Sequence, residues 1–517
     1  MTLIQPAATP AGSDVARKQI RGSTLLLFGR GLSLVLNLLA QVVTVRYLTK
    51  LDYGLFAWAF AVIESAALLC LLGLDKAVMR FAAIYHERQD RARFRGTLLV
   101  AFGVSIGLGC LFCAGLILGR EILTDAFLLA EPTTEILLYL MLLAPINAFG
   151  AVTLAILNVV KGAKAMLFRK HLAAPLLKLA AVVLAVLLEA SLSQLALAYL
   201  IAGVCGLLLD LSILAKIGKD EDEPIFGNGP LKLPARELLG YSVPLMSSDV
   251  MFLVRGSAIV ILAGWLSGPS AAAELRTIVP LVRMNELVLM NFALIFIPLA
   301  SRLLAGNRMA ELEQIAQQSS AWVMVICFPI FASCVLLSRP LLGILFGAQY
   351  QEAATALIVL TGAYFLDAVF GFSSRVLKVL GLVRIVVIQD IVSVIVALAV
   401  GCLLIPHYGA VGAAVAVAVS ILLLDLMRML TLYRRTELRL FRREFFKPLL
   451  TTLAAGLALV GLRCLGDPGL LWGSLLVAMT SALVVLINRE SLQWDATFPE
   501  LRRLAVLKRW ITKERSA

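Results

Sequence analysis

Runs of about 20 mainly apolar residues recur along this chain, each long enough as a helix to cross a bilayer core about 30 Å thick. Fourteen are read, approximately 23–45, 54–74, 97–118, 135–158, 171–190, 194–214, 239–264, 276–299, 318–338, 353–374, 384–404, 410–430, 447–465 and 470–488. In hydrocarbon every backbone N–H and C=O must be satisfied internally, which leaves helices or closed barrels. The runs are continuous and rich in Leu, Ala and Val, without the period-2 alternation of barrel strands, so the expected fold class is an all-α polytopic membrane protein. With 61% of its 517 residues hydrophobic and 15% charged, the chain has no room for a sizeable soluble domain, and a soluble enzyme is excluded.

Orientation follows from the basic residues of the loops. The leader, the loops on its side and the segment after 488 hold 35 Lys and Arg, against six (Arg46, Lys50, Arg120, Arg276, Arg339 and Arg463) on the opposite side. A multi-pass protein of the cytoplasmic (inner) membrane with both termini in the cytoplasm is therefore expected. The same asymmetry accounts for the net charge of +13, and nucleic acid is not an expected partner. No short apolar stretch with a small-residue cleavage site precedes the first span, so no removable signal peptide is expected. The eight cysteines fall almost wholly within apolar runs and read as small hydrophobes, with no disulfide framework or metal cluster.

An acidic linker containing Gly and Pro, 218–236, interrupts the apolar pattern. The expected organisation is a cytoplasmic segment at 1–22, an N-lobe of helices 1–6 at 23–214, a cytoplasmic linker at 215–238 and a C-lobe of helices 7–12 at 239–430. Two C-terminal helices, 13–14, with a preceding basic loop then occupy 431–488, and a cytoplasmic basic tail occupies 489–517. Two like halves with a substrate path between them is a transporter arrangement. A weak internal echo, "VVKGAKAMLFRK" (159–170) against "RVLKVLGLVRIV" (375–386), agrees with it. The basic amphipathic stretches 434–448 and 498–515 are expected on the inner membrane surface. Gly103 and Gly107, four residues apart, predict a close helix approach.

No Walker-type phosphate loop occurs, so transport would not draw on an ATP site of the chain's own. The three histidines, His86, His171 and His407, are scattered and offer no metal site. Nothing resembles a nucleophile elbow. No catalytic residue and no cofactor is expected, and the chain is read as a transporter and not an enzyme.

A Lys or Arg at the centre of a membrane helix costs about 2.5–3.5 kcal/mol on insertion scales, so each must face protein, water or a counter-charge. Arg30, Lys178, Arg255 and Arg283 lie in or at the ends of spans, and Arg276 precedes Arg283 by seven residues, on about the same helical face. They are read as outlining a cationic substrate-binding cavity. Glu64, Asp249, Glu286 and Asp367 are the candidate ion-coupling acids. The structural alternative is ion pairs that fix helix packing, as Arg283 and Glu286, three apart, could form along one helix. Arg428, Asp425 and Asp390, close to span ends, are read as snorkelling. A wet cationic chamber in an apolar bundle suits an anionic, partly lipidic ligand, such as a diphosphate on a polyprenol.

Three stretches carry a family resemblance: "RYLTKLDYGLFAWAFAV" (46–62), "FALIFIPLASRLLAGNRMAELEQIAQQSSAWVMVICFPI" (292–330), and "LLGILFGAQYQEAATALIVLTGAY" (341–364) followed by "IPHYGAVGAAVAVAVS" (405–420). They resemble the polysaccharide-transporter, or O-antigen flippase-like, family of the multidrug/oligosaccharidyl-lipid/polysaccharide (MOP) exporter superfamily. The resemblance implies about fourteen helices in two six-helix lobes of MATE-like type plus two C-terminal helices. It implies a flippase that moves polyprenyl-diphosphate-linked oligosaccharide repeat units across the cytoplasmic membrane for surface or exopolysaccharide biosynthesis, by alternating access. The lipid II flippase branch shares this architecture, but its Arg-rich first helix is matched here by Arg30 alone.

The expected partners are the lipid-linked oligosaccharide and membrane lipids, with a polysaccharide polymerase and glycosyltransferases as candidate protein partners. The driving force stays open between removal of product and an H+ or Na+ gradient. Two alternatives stand beside this reading: a cation-coupled exporter of multidrug or amphipathic small-molecule type, and a non-transporting membrane subunit of a glycan assembly complex.

Overall fold

The computed structural model describes residues 10–119, 131–160, 163–220, 231–436, 443–466, 468–489 and 492. The described residues are almost entirely helical, as the sequence requires. The amphipathic tail 498–515, much of the basic loop before the thirteenth span and the centre of the acidic linker lie outside them.

Two compact units divide the chain between Thr277 and Ile278. The first contains α1 (Pro10–Tyr47), α2 (Lys50–Leu71), α3 (Leu74–Glu87), α4 (Arg91–Leu118), α5 (Glu131–Leu140), α6 (Leu143–Val160) and the short α7 (Ala163–Met166). A π-helical turn, Leu167–Ala173, leads into α8 (Ala174–Leu187), followed by α9 (Leu192–Asp220) and α10 (Ala235–Leu253). A second π-helical turn, Val254–Ala258, leads into α11 (Ile259–Ser267), and α12 (Pro269–Val282) carries the chain across the division. The seventh apolar run of the sequence, 239–264, is thus two helices joined by a π-bulge.

Local signals set these boundaries. Thr49 caps α2 by accepting the Asp52 N–H at 3.1 Å, and Gly73 takes up the left-handed conformation (φ 69°) between α2 and α3. The core of this unit joins Leu74 and Val78 of α3, Leu98 of α4, and Val152 and Ile156 of α6. Gly103 and Gly107 are not the close approach that their spacing predicts, because a Cβ at either would meet nothing within 4 Å. The contact comes at Gly109, where a Cβ would stand 2.5 Å from the ring of Pro145.

The second unit is built from α13 (Met284–Ala305), α14 (Met309–Leu336), α15 (Ser338–Phe346), a 3-10 turn (Ala348–Ala353), α16 (Ala354–Phe370) and α17 (Phe372–Val379). It continues through α18 (Val383–Arg435), α19 (Arg443–Leu465) and α20 (Leu470–Ile487). Its core centres on Met324, Cys327 and Phe328 of α14 with Phe365 and Ala368 of α16, and α19 and α20 pack on α14.

α18 breaks at Gly409 (φ 53°, ψ −128°), so its 53 residues correspond to the eleventh and twelfth apolar runs. Arg428 donates from Nη2 to Asp390 Oδ1 at 2.8 Å, and Ser393 Oγ donates to the Ser420 carbonyl at 3.0 Å. These contacts correct the snorkelling reading: Arg428, Asp390 and Asp425 are buried. By length and composition, eleven stretches among the described residues can cross a membrane, and Gly256–Ser267 is a shorter apolar helix.

Candidate functional site

Tyr53, Phe56, Phe60 and Glu64 follow one another on α2 at spacings of three, four and four residues, which places them on one stripe of the helix. That stripe faces Lys178 from α8, Tyr199 from α9 and Arg276 from α12. With Gln41 and Thr44 of α1, all of these except Glu64 line a small open recess with a cavity volume of about 40 Å³, near the end of the unit where α1 gives way to α2.

Three aromatic rings form its wall. Phe56 and Phe60 stack with centroids 5.8 Å apart, and Tyr199 stands edge-on to both, at 5.0 and 5.7 Å. Lys178 Nζ lies 5.4 Å from the Phe60 centroid and 5.6 Å from that of Tyr199, within the range where a ring quadrupole attracts a cation. The Arg276 guanidinium sits 5.5 Å from Phe60. Gln41 donates to the Arg276 carbonyl at 2.9 Å and to Tyr53 Oη at 3.3 Å, pinning α12 to α1 and α2.

The two cations differ in their partners. Arg276 makes a bidentate pair with Glu64, Nη1 to Oε2 at 2.9 Å and Nη2 to Oε1 at 2.8 Å, and Ser257 Oγ donates to the same Oε2 at 3.0 Å. Ser257 reaches Glu64 from the π-helical turn that splits the seventh apolar run. Lys178 forms no ion pair among the described residues; the faces of Phe60 and Tyr199 are its partners. The Glu64 side chain keeps 37% of its surface open, so the ion pair borders accessible space. An ammonium without a carboxylate, a guanidinium with donors to spare and a set of aromatic rings and hydroxyls can together hold an anionic group.

The other expected site residues fall elsewhere. Arg30, 11 residues before Gln41 on α1, is about 16 Å along the helix from the recess. It stands within charge–charge range of Lys170 and His171 of the first π-helical turn, onto which α1 packs at Gly29. Arg255 belongs to the second π-helical turn, and its side chain is outside the described residues. Asp249 of α10 pairs with Lys76 of α3 at 2.6 Å. Arg283, Glu286 and Asp367 belong to the second unit. Arg283 is at the N-cap of α13 with Glu286 in its first turn. Asp367, buried near the end of α16, is in charge–charge range of Arg375, as is Glu286. Arg276 and Arg283 lie on opposite sides of the division between units, and the helix does not run unbroken between them.

Arg276 is read from the sequence both at an outer loop edge and beside Arg283 among the cavity cations; its bidentate pairing with Glu64 is the main feature that sequence reasoning misses. The aromatic stripe leading to Glu64 is the signal that points to this face.

The family model described as "Polysaccharide biosynthesis protein" matches residues 20–304, more than half of the chain. The chain belongs to this family. It is 27% identical over 207 residues to a protein of Haloferax volcanii named "Probable low-salt glycan biosynthesis flippase Agl15". That match takes in 40% of this chain and 43% of the relative, so the chain spans less than half the length of the curated relative it matches.

Among solved structures, it is similar to the lipid II flippase MurJ in an inward closed conformation (TM-score 0.65, 15% identity, 94% of this chain and 100% of that one). It is equally similar to an inward-facing multidrug resistance MATE family transporter of the MOP superfamily (TM-score 0.65, 16% identity, 78% and 94%). A MOP superfamily transporter from Pyrococcus furiosus, noted for reversed polarity of its binding pocket, gives a TM-score of 0.54 at 17% identity over 80% of this chain and 94% of its own. The fold is the one these MurJ and MATE structures share.

Proposed function

We propose that this family member is a flippase for polyprenyl-diphosphate-linked oligosaccharide repeat units, working in the cytoplasmic membrane by alternating access of two lobes. Both termini would be cytoplasmic, as the 35-to-6 distribution of loop charge suggests. The family match and the relative named as a glycan biosynthesis flippase support the substrate class. The observation that carries the reading is Lys178: an ammonium inside a membrane-length helix, facing an aromatic recess beside Arg276, within charge–charge range of Glu64 but in no ion pair among the described residues. Such a group is costly in a bilayer and marks a ligand path. A diphosphate supplies the missing counter-charge while its prenyl tail stays in lipid.

Glu64 favours a second reading, a cation-coupled exporter of amphipathic small molecules, because a carboxylate bordering a recess can also receive a cation. The test is leaflet exchange in phosphatidylethanolamine–phosphatidylglycerol vesicles containing the purified protein. A fluorescent short-chain polyprenyl-diphosphate disaccharide should become fully reducible by external dithionite, where empty vesicles expose only the outer-leaflet share. Transport of an amphipathic dye without exchange of the disaccharide lipid would establish the exporter instead. Exchange of neither, with glycosyltransferases copurifying, would mark a non-transporting assembly subunit.

A further inference from the structure

Glu237 and Tyr241 stand one helical turn apart on α10, so both meet the same strip of α3. Tyr85 Oη donates to Glu237 Oε2 at 3.1 Å, and the Phe81 ring stands edge-on to Tyr241 with centroids 5.6 Å apart. The Arg80 guanidinium lies 4.5 Å from the Tyr241 centroid and 5.7 Å from that of Phe81. Arg80 and Glu237 are both exposed. Among the described residues neither takes part in an ion pair: aromatic rings hold the cation, and a tyrosine hydroxyl is the partner of the carboxylate. Arg93, over the Tyr85 ring at 5.8 Å, has Asp90 as its own counter-charge at 3.5 Å. The strip is left with one positive and one negative charge about a helical turn apart.

Deeper on the same seam the protein closes such a gap itself, since Lys76 of α3 pairs with Asp249 of α10 at 2.6 Å. The exposed couple sits at a different level. Arg80 follows Lys50 by 30 residues, at most about 45 Å of helix, with the turn at Leu72 and Gly73 (φ 47° and 69°) taking up part of that reach. A bilayer with both headgroup layers is about 40–45 Å thick. With Lys50 at one membrane surface, Arg80 and Glu237 lie in the headgroup layer of the other. A headgroup with a phosphate and an ammonium on a two-carbon bridge presents the opposite charges there at a comparable separation.

We propose that this α3–α10 strip binds the headgroup of phosphatidylethanolamine, its phosphate on the Arg80 guanidinium and its ammonium donating to Glu237 beside the Tyr85 ring. The acyl chains stay in the bilayer, and the lipid bridges α3 and α10 where the protein supplies no ion pair. Phosphatidylglycerol offers the phosphate without an ammonium and leaves Glu237 facing a like charge. Phosphatidylcholine has no N–H to donate. The site is separate from the recess and independent of the flippase reading.

The experiment is native mass spectrometry of the full-length protein in detergent, titrated separately with dioleoyl phosphatidylethanolamine, phosphatidylglycerol and phosphatidylcholine. The wild type should bind the ethanolamine lipid about tenfold more tightly than either of the others, the difference that one charged hydrogen bond makes. Arg80→Gln should weaken binding of that lipid about tenfold. Glu237→Gln, which still accepts from Tyr85, should bring the ethanolamine and glycerol lipids to near parity. The wild-type selectivity is a test without any variant: phosphatidylglycerol bound as tightly as phosphatidylethanolamine, or more tightly, would overturn the proposal. An ethanolamine preference that survives Glu237→Gln would overturn it too. Displacement of the bound lipid by farnesyl-diphospho-N-acetylglucosamine at equal concentration would assign Arg80 to the phosphate of a transported lipid, and would equally end the proposal.

Discussion

Lys178→Met should lower leaflet exchange of a polyprenyl-diphosphate disaccharide by about 10- to 100-fold, with little change in the yield of folded protein. The substitution keeps side-chain length and flexibility, and the thioether can rest against Phe60 and Tyr199 as the lysine stem does. What it removes is the ammonium. A hydrogen bond to a charged group contributes about 1.5–3 kcal/mol, which as a rate difference spans roughly one to two powers of ten. Lys178→Arg should retain more exchange than methionine, because charge is kept while the donor geometry changes. Exchange in vesicles, normalised to monodisperse protein by size-exclusion chromatography, checks both variants. An Arg variant no better than Met would place the requirement in shape and not in charge.

Asp210→Asn should cost far more in folding than in chemistry. Asp210 of α9 accepts from Arg169 Nε at 2.5 Å and from Nη2 at 2.6 Å, with side-chain exposures of 1% and 10%. The guanidinium also donates to the Gly206 carbonyl at 3.3 Å. Glycines make room for this pair: a Cβ at Gly150 would stand 3.2 Å from Asp210 Oδ2, and one at Gly206 would stand 3.4 Å from Arg169 Nη2. Arg169 sits in the first π-helical turn, so the pair ties that irregular turn to α9.

Removing one member of a buried ion pair strands the other, at a cost of about 3–5 kcal/mol. That is comparable with the lower end of a domain's whole stability, about 5–15 kcal/mol. The expected result is a large loss of monodisperse protein and a lower midpoint of thermal unfolding in detergent. The paired replacement Arg169→Met with Asp210→Leu should recover much of it, since no charge is then left buried. Equal loss in single and paired variants would refute the stranded-charge explanation.

The membrane helices were legible because hydrocarbon tolerates only continuous apolar helices, and the apolar runs fall mostly on helical residues where they are described, with eleven stretches among the described residues long and apolar enough to cross a membrane. Lys178 could be singled out by the cost of its burial alone. The pairing of its neighbour could not, because Arg276 follows a short, weakly apolar stretch that resembles a loop edge, and its carboxylate lies 212 residues earlier. Pairings over such distances depend on packing that hydropathy does not encode.

Asp390 and Arg428 are a more instructive failure. Each lies 19 residues from Gly409, so a reversal at that glycine sets them opposite one another, as the 2.8 Å contact shows. Equidistance from a break could have been read, but residues near span ends were assigned to the surface. The π-helical turns at Leu167–Ala173 and Val254–Ala258 leave no mark on apolar periodicity, yet they place Arg169 and Ser257 against their carboxylate partners.

The most direct measurement of the central claim is photo-crosslinking of the full-length protein in nanodiscs. The probe is a short-chain polyprenyl-diphosphate N-acetylglucosamine with a diazirine next to the diphosphate, and the adducts are mapped by mass spectrometry. Labelling concentrated on the α8 and α12 peptides containing Lys178 and Arg276, suppressed by unlabelled ligand and lost in Lys178→Met, is the expected result. Competable adducts that avoid both peptides and persist in the variant would contradict the account.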